Sequence, residues 1–202
     1  MLPALLSITY FGPVQWYQKL YRHKEVLLEQ HETFAKQTYR NRCHIATAQG
    51  VQALTVPVVH DREAYTTGTV RISDHGNWRH LHWQAITSAY SDSPFFEYYE
   101  DELRFFFTER CWERLFDFNL AIMLKMCEFI DIQSSYRLTE EYAKNGDFTD
   151  FRNTITPKLA STDADFTALP YYQVFAQRHG FLPNLSILDL LCNMGPESIF
   201  FL

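Results

Sequence analysis

Residues 5–30 read LLSITYFGPVQWYQKLYRHKEVLLEQ, in which two apolar runs flank an amphipathic one. The runs Leu5–Phe11 and Val26–Gln30 have the length and composition of short buried strands. A Gly-Pro pair separates the first run from Val14–His23, and proline near the first turn favours the start of a helix there. Strand, helix and strand within so short a stretch predict a right-handed βαβ unit with parallel strands.

Two more apolar runs follow, Cys43–Ala48 and Val51–Val58, and the Gln-Gly pair between them predicts an antiparallel hairpin. Pro57 places the end of the second run at a sheet edge. A further short strand is predicted over Thr69–Ile72. The predicted fold class is mixed α/β, with a small sheet that has a parallel βαβ start and an antiparallel hairpin, covered by long helices.

Helical periodicity begins at Trp78 and continues to Tyr90, with Asn77 as the predicted N-cap. Apolar residues then recur every three or four positions over Glu97–Phe129, which predicts one long helix or a broken pair. Two short helices are predicted near the C-terminus, Tyr171–His179 and Leu185–Leu191, the second one capped by Asn184.

We interpret residues 1–202 as a single domain with a polar excursion at about 131–168, where periodicity is lost and Ser, Thr, Asn, Gly and Asp are frequent. A tract of this length inside a compact domain is typical of a functional lid or of disorder. We expect a lid, to which Arg137 and Arg152 would add charge near an anion site. An ordered structural excursion or an arm at a dimer interface is the alternative.

Composition and cysteine spacing restrict the class of protein. The formal net charge of −6 argues against general nucleic-acid binding, and no apolar run reaches the ~18 residues of a membrane span. The apolar N-terminus lacks the basic start of a signal peptide. The four cysteines form no CxxC or zinc-type spacing, which favours a reduced, cytoplasmic protein. Neither GxGxxG nor GxxxxGKS/T occurs, and we expect no cofactor.

Site-type chemistry is concentrated in residues 74–83, which carry three imidazoles, one guanidinium and two indoles. His82 is the predicted catalytic base, because imidazole titrates near neutrality and can take up and return a proton. His75 could face the same pocket, while Trp78 and Arg79 are predicted to contact substrate. The alternative is an aromatic-rich helix whose tryptophans lie in the core and whose histidines are satisfied by their neighbours.

The loop after the second predicted strand is a second candidate, because α/β folds place ligand-binding loops at strand ends. Lys36 and Arg42 are predicted to bind anionic substrate groups, the arginine through its bidentate fork. Asn41 could orient a sugar hydroxyl, or cap the turn. Glu29 is predicted to orient a catalytic histidine, a role that Glu32 could also fill. A solvated charged loop is the alternative.

Two other chemistries are less favoured by the spacing. A metal site from His75, His80, His82 and Glu32 is not favoured, because His-x-His on a helix directs the two rings apart, and we predict no metal. Cys43 follows an arginine that could lower its pKa, but it opens an apolar strand, which argues against a nucleophilic thiolate.

Seven blocks of the sequence, in order along nearly the whole chain, resemble the WbqC-like family, a group encoded in bacterial polysaccharide and O-antigen gene clusters. The blocks are Tyr10-Phe11-Gly12-Pro13, Lys36…Asn41-Arg42, Leu54-Thr55-Val56-Pro57-Val58, Trp78…His82…Tyr90, Pro94-Phe95-Phe96, Leu115…Asp117…Asn119 and Gly180–Asp189. Through the first block, the resemblance adds Tyr10 to the substrate-binding residues.

The resemblance implies a role in tailoring surface-sugar precursors, with acyl or aminoacyl transfer onto an amino sugar as the expected reaction. The implied partners are a nucleotide sugar or other sugar precursor and an acyl or aminoacyl carrier protein, while the oligomeric state stays open. The chain has Ile8-Thr9 where the family usually has Gln-Pro, and Gln30-His31 where it has paired Asp. These departures motivate the alternative of a non-catalytic sugar- or carrier-binding protein of the same pathway.

Overall fold

A computed structural model of the chain describes residues 2–59, 65–157 and 163–202. Its strands are β1 (Ala4–Ser7), β2 (Glu25–Glu29), β3 (Arg42–Thr47), β4 (Gly50–Thr55), β5 (Ser135–Leu138) and β6 (Thr149–Asp150). Its α-helices are α1 (Val14–Arg22), α2 (Trp78–Tyr90), α3 (Phe96–Thr108), α4 (Leu115–Ile130), α5 (Ala176–His179) and α6 (Ile187–Met194). Within these ranges, no helix combines the length and the apolar character that crossing a membrane requires.

The central sheet has the strand order β5-β2-β1-β6, and all neighbouring strands are parallel. The predicted βαβ unit is confirmed, with β1 paired to β2 from Ala4 opposite Val26 to Ser7 opposite Glu29. β1 ends at Ser7, earlier than predicted, because the chain leaves the sheet there. The mixed α/β class is therefore confirmed.

The predicted antiparallel hairpin is also confirmed and forms a separate two-stranded sheet of β3 and β4. Its turn places Thr47 opposite Gly50, whose φ of 108° lies in a region that favours glycine. The predicted strand over Thr69–Ile72 is wrong, because its last two residues make only isolated bridges, to Arg114 and Val58.

The Glu97–Phe129 region folds as the broken pair of the two predicted alternatives. α3 and α4 are separated by residues 109–114, and the residues that bound this segment have extended backbone. Ile72 donates its backbone N–H to the Glu113 carbonyl at 2.9 Å. This pairing with a distant segment replaces the local bond that a continuous helix would need.

The predicted N-cap position of α2 is confirmed, whereas the predicted N-cap of α6 is wrong. Asn77 precedes α2 with a left-handed backbone (φ 51°) and makes no side-chain cap. α6 is capped by Ser186, whose Oγ accepts the Leu188 N–H. Asn184 instead accepts the backbone N–H of Gln15 at 2.9 Å, which ties the last segment to α1. The other predicted C-terminal helix is confined to α5.

The polar excursion supplies the two outer strands of the central sheet. β5 pairs with β2 and β6 pairs with β1, so this segment is built into the body of the fold. Both strands are short, and β6 and most of β5 are exposed, so no apolar alternation marks them in the sequence. Residues 158–162 of the excursion lie outside the described residues.

Candidate functional site

Polar side chains collect at the carboxyl ends of the parallel strands. Ser7 ends β1, Glu29 ends β2, Thr139 follows β5, and Asp150 ends β6. Because the strands are parallel, these four positions meet at one edge of the sheet, which is where open α/β sheets bind ligands. A cavity of about 350 Å³ lies at this edge. We name it the carboxyl-edge cavity, lined by His31, Glu32, Thr33, Ala35, Thr38, Arg40, Tyr142, Arg152, Asn153 and Thr156.

The first charged pair in its wall joins Arg40 and Glu32, both buried. Arg40 donates Nε to Glu32 Oε1 at 2.7 Å and Nη2 to Oε2 at 2.5 Å. Thr67 donates to Oε1 and Ser7 donates to Oε2. Each carboxylate oxygen of Glu32 thus accepts two hydrogen bonds, so the group is fully occupied and fixes the plane of the guanidinium.

The second charged pair joins Arg152 and Glu29. Arg152 Nη1 donates to Glu29 Oε2 at 3.0 Å, while its Nε and Nη2 donate to Asp150. Glu29 is completely buried and also accepts bonds from the His31 backbone N–H, the Thr139 hydroxyl and the Ala143 backbone N–H. The hydrogen bonds to Asp150 raise the pKa of Arg152. Both guanidinium groups of the cavity are therefore held in place by carboxylates.

Some guanidinium N–H groups are left over after these bonds. A guanidinium has five N–H donors. Arg40 uses four, on Glu32, Ser7 and Thr38, and Arg152 uses its Nε and one N–H on each terminal nitrogen. Among the residues that the structure describes, one N–H of Arg40 and two of Arg152 have no acceptor. The cavity can therefore offer charged donors to an anionic ligand.

The remaining wall supplies an acceptor, a ring and a hydroxyl. His31 Nε2 lies 3.0 Å from the Thr139 carbonyl oxygen, which can only accept, so Nε2 carries the proton and Nδ1 is left as an acceptor. The Tyr142 ring, half exposed, packs on the Arg152 guanidinium at 4.9 Å. Thr156 Oγ1 is buried and has no hydrogen-bond partner among the described residues.

The structure separates the predicted residues of the loop after β2. Glu29 lies at the carboxyl edge, but it bonds the backbone of His31 and, within the described residues, no histidine ring. Lys36 is exposed. Asn41 is buried and donates Nδ2 to the Val56 carbonyl at 3.0 Å, and Arg42 donates Nε to the Thr55 hydroxyl at 2.9 Å. The last two side chains therefore contact the β4 region, away from the cavity.

A second group of predicted residues lies in the aromatic core. His82 Nδ1 and Tyr10 Oη are 2.9 Å apart, and the Trp78 ring packs edge-on against the imidazole. All three side chains are buried. Burial lowers the pKa of His82 to about 4, against a smaller opposing effect of a hydrogen bond to the Thr55 backbone. The imidazole is therefore neutral at pH 7, and it does not line the carboxyl-edge cavity.

The other residues of the 74–83 stretch point elsewhere. His75 and His80 are exposed, whereas His82 is buried, so the three imidazoles are not brought together. Arg79 is buried beside α3 and lines a different cavity. Within the described residues, no three His, Cys, Asp or Glu side chains are grouped to hold a metal ion. Burial raises the pKa of Cys43 well above its ordinary value, which opposes a thiolate.

The site residues that the sequence analysis does not predict include Arg40, His31 and Thr139. Arg40 lies between Lys36 and Arg42, the two predicted anion ligands of this loop. The sequence does not indicate which of the three side chains points inward. Thr139 follows a strand that has no apolar alternation. Arg152, predicted to add charge near an anion site, does line the cavity. Arg137, predicted with it, is exposed on β5 and is not among the described lining residues of this cavity.

Comparisons with known proteins connect the chain to one family. The sequence profile of the WbqC-like protein family matches residues 9–164, a span that contains Glu32, Arg40 and Arg152. The Mycobacterium tuberculosis protein named "Uncharacterized protein Rv1507c" is 26% identical over 188 residues, which cover 82% of this chain and 81% of that protein. No solved structure matches the chain significantly.

Proposed function

Because the chain belongs to the WbqC-like protein family, we propose that it is a transferase that tailors a surface-polysaccharide precursor. The reaction would move an acyl or aminoacyl group onto a nucleotide-linked amino sugar. One observation carries the proposal. The two buried guanidinium groups of Arg40 and Arg152 leave N–H donors in a single polar cavity at the carboxyl edge of a parallel sheet.

The free guanidinium donors and the volume of the cavity are the features that suit a phosphorylated sugar. Arg40 and Arg152 are held by carboxylates, so their free N–H groups have fixed directions and can bind phosphate oxygens in a defined geometry. A volume of about 350 Å³ falls in the range of small-molecule sites. The exposed Tyr142 ring offers an apolar face for a sugar, and the Thr156 hydroxyl offers a polar contact.

We place the general base at His31, because this residue lines the cavity and its Nδ1 is left as an acceptor. In the proposed step, the amine nitrogen of the sugar bonds to the acyl carbon, and the bond between that carbon and its carrier breaks. The amine proton passes to His31 Nδ1 and then to the leaving group. His82, the base predicted from the sequence, has no part in this step, because it is buried and does not line the cavity.

The test combines binding and turnover with a panel of nucleotide amino sugars and acyl or aminoacyl donors. We expect Arg152→Lys to weaken nucleotide-sugar binding about tenfold or more, because lysine cannot replace the guanidinium fork. Arg137→Lys, the same substitution on exposed β5, is the matched control and should bind normally. His31→Gln should retain binding and lose product formation. Normal sugar binding by a folded Arg152→Lys variant would contradict the assignment of the cavity.

A second candidate function is a non-catalytic sugar- or carrier-binding protein that uses the same cavity. It is favoured by the saturation of Glu29 and Glu32, since neither carboxylate has an oxygen free to take a proton. Stoichiometric nucleotide-sugar binding without product, for every donor in the panel, would support this function. Product formation that depends on His31 would support the transferase.

A further inference from the structure

A second cavity, of about 190 Å³, lies between α2 and α3, and none of the described residues lines both this cavity and the carboxyl-edge cavity. We name it the α2–α3 cavity. The residues that matter for its chemistry are Asn77, Arg79, Trp83, Arg104, Phe107 and Arg110, all of which line it. None of these residues takes part in the function proposed above.

The charges around the α2–α3 cavity are unbalanced. Arg79, Arg104 and Arg110 bring three guanidinium groups to its wall. The carboxylate near them is that of Asp74, which lies 3.5 Å from Arg79 Nε and 3.7 Å from Arg110 Nη1. Arg104 forms no ion pair with any residue in the described ranges. Three cations thus face one anion, and the excess positive charge favours an anionic ligand.

Arg79 is buried but has few hydrogen-bond acceptors for its guanidinium group. Its side chain is only 7% exposed, yet Nη1 makes a single long bond of 3.4 Å to the Phe106 carbonyl. Nε makes no hydrogen bond with any described residue, in spite of the nearby Asp74 carboxylate. The guanidinium packs on the Trp78 ring, with its carbon 4.5 Å from the ring centre, and this contact fixes its plane. A buried guanidinium with so few acceptors is costly unless a ligand supplies them.

The N-terminus of α2 adds positive charge at the same cavity. α2 is 13 residues long and begins beside the cavity. Asn77, the residue before its first turn, has a left-handed backbone and provides no side-chain cap. Because α2 begins beside the cavity, the positive end of its dipole adds to the three guanidinium charges.

We propose that the α2–α3 cavity binds the phosphate group of a small phosphate ester, with Arg79, Arg104 and Arg110 as the charged ligands. Part of the wall is apolar, since the Trp83 and Phe107 rings line the cavity and pack with their centres 5.7 Å apart. This wall suits the organic part of the ester. The site is independent of the carboxyl-edge cavity, so its test does not depend on the proposed transferase function.

The experiment titrates the full-length chain with phenyl phosphate and, separately, with inorganic phosphate at constant ionic strength. The readout is the indole N–H resonance of Trp83, assigned with a Trp83→Phe variant. The indole N–H of Trp16, which donates to the Ser7 carbonyl at the end of β1, is the reference resonance outside this cavity. Wild type should show saturable shifts at Trp83, with phenyl phosphate binding more tightly than phosphate. Arg104→Gln and Arg110→Gln remove exposed side chains and should each weaken phenyl phosphate binding about tenfold.

Arg137→Gln is the matched control, because it removes one exposed arginine charge far along the chain from this cavity. It should leave phenyl phosphate binding unchanged. Three results would overturn the proposal, namely no saturable shift at Trp83, normal binding by both Arg104→Gln and Arg110→Gln, or an equal loss in Arg137→Gln. The last result would mean that binding depends only on net charge.

Discussion

At the scale of single residues, burial determines what each polar group of this protein can do. Glu29 and Glu32 are fully hydrogen-bonded, so they hold arginine side chains and are not placed to move protons. Removing either arginine would leave a buried carboxylate unpaired, at a cost of about 3–5 kcal/mol. For this reason the charge-conserving Arg152→Lys variant is a sharper test of ligand binding than an alanine variant.

The pH dependence of stability tests the neutral state of His82. Its pKa falls from 6.5 to about 4 in the folded chain because of burial. The unfolded chain therefore binds more protons between these pH values, and the free energy of unfolding decreases as the pH falls from 6.5 towards 4. The full effect is about 3 kcal/mol. We expect a His82→Gln variant, measured by urea unfolding, to lack this part of the slope.

The pH slope of the wild type alone does not isolate the His82 contribution, because Asp189 changes the free energy of unfolding in the opposite direction. Burial raises its pKa from 3.8 to about 6, so the folded chain binds the extra proton and stability is lost as the pH rises through this window. The His82→Gln comparison is therefore repeated in an Asp189→Asn background, where the pH slope that differs between the two chains comes from His82. A pH slope that is the same with and without His82 would show that the imidazole is not buried in its neutral form.

Site residues could be predicted from the sequence where their position depends on neighbouring residues, and not where it depends on distant segments. The charged loop after β2 could be predicted as a ligand site because strand ends are marked by apolar periodicity. Which of its cations faces inward depends on Ser7 and Thr67, which come from distant segments. Lys36 and Arg42 were therefore predicted as anion ligands, whereas the structure places Arg40 in the cavity wall.

At the scale of elements, the cap of α6 gives a direct test of how the C-terminal segment is held. Ser186 Oγ accepts the Leu188 N–H and also donates to the Phe11 carbonyl at 2.7 Å. We expect Ser186→Ala to lower the free energy of unfolding by about 1–2 kcal/mol, measured by thermal and urea unfolding. Ser88→Ala, at an exposed position of α2, is the control and should change stability by less than about 0.5 kcal/mol.

The elements with strong periodicity were predictable and the short polar ones were not. β1, α1 and β2 follow from one apolar pattern, and the β3–β4 hairpin follows from two runs and a turn. β5 and β6 gain their strand conformation from pairing with β2 and β1, so their own residues carry little signal. The Asn184 cap was mispredicted because asparagine is a common N-cap, while here its side chain bonds Gln15 across the fold.

At the scale of the whole molecule, the carboxyl edge gathers residues from four segments that are far apart in sequence. Only the parallel arrangement of β5, β2, β1 and β6 brings Ser7, Glu29, Thr139 and Arg152 together. Because two of these strands come from the polar excursion, the excursion completes the sheet and supplies half of the site. The predicted lid is therefore reduced to the connections between its strands.

Hydrogen exchange of the whole chain distinguishes such a partial lid from a lid made of the entire excursion. Peptides covering β5 should exchange slowly with or without ligand, because their amides pair with β2. Residues 139–145 line an open groove of about 830 Å³ and should exchange faster. A bound nucleotide sugar should slow them, since Tyr142 and Ala143 contact the charged pair of Arg152 and Glu29. If β5 exchanged as fast as residues 139–145 and was protected only by ligand, the entire excursion would be the moving element.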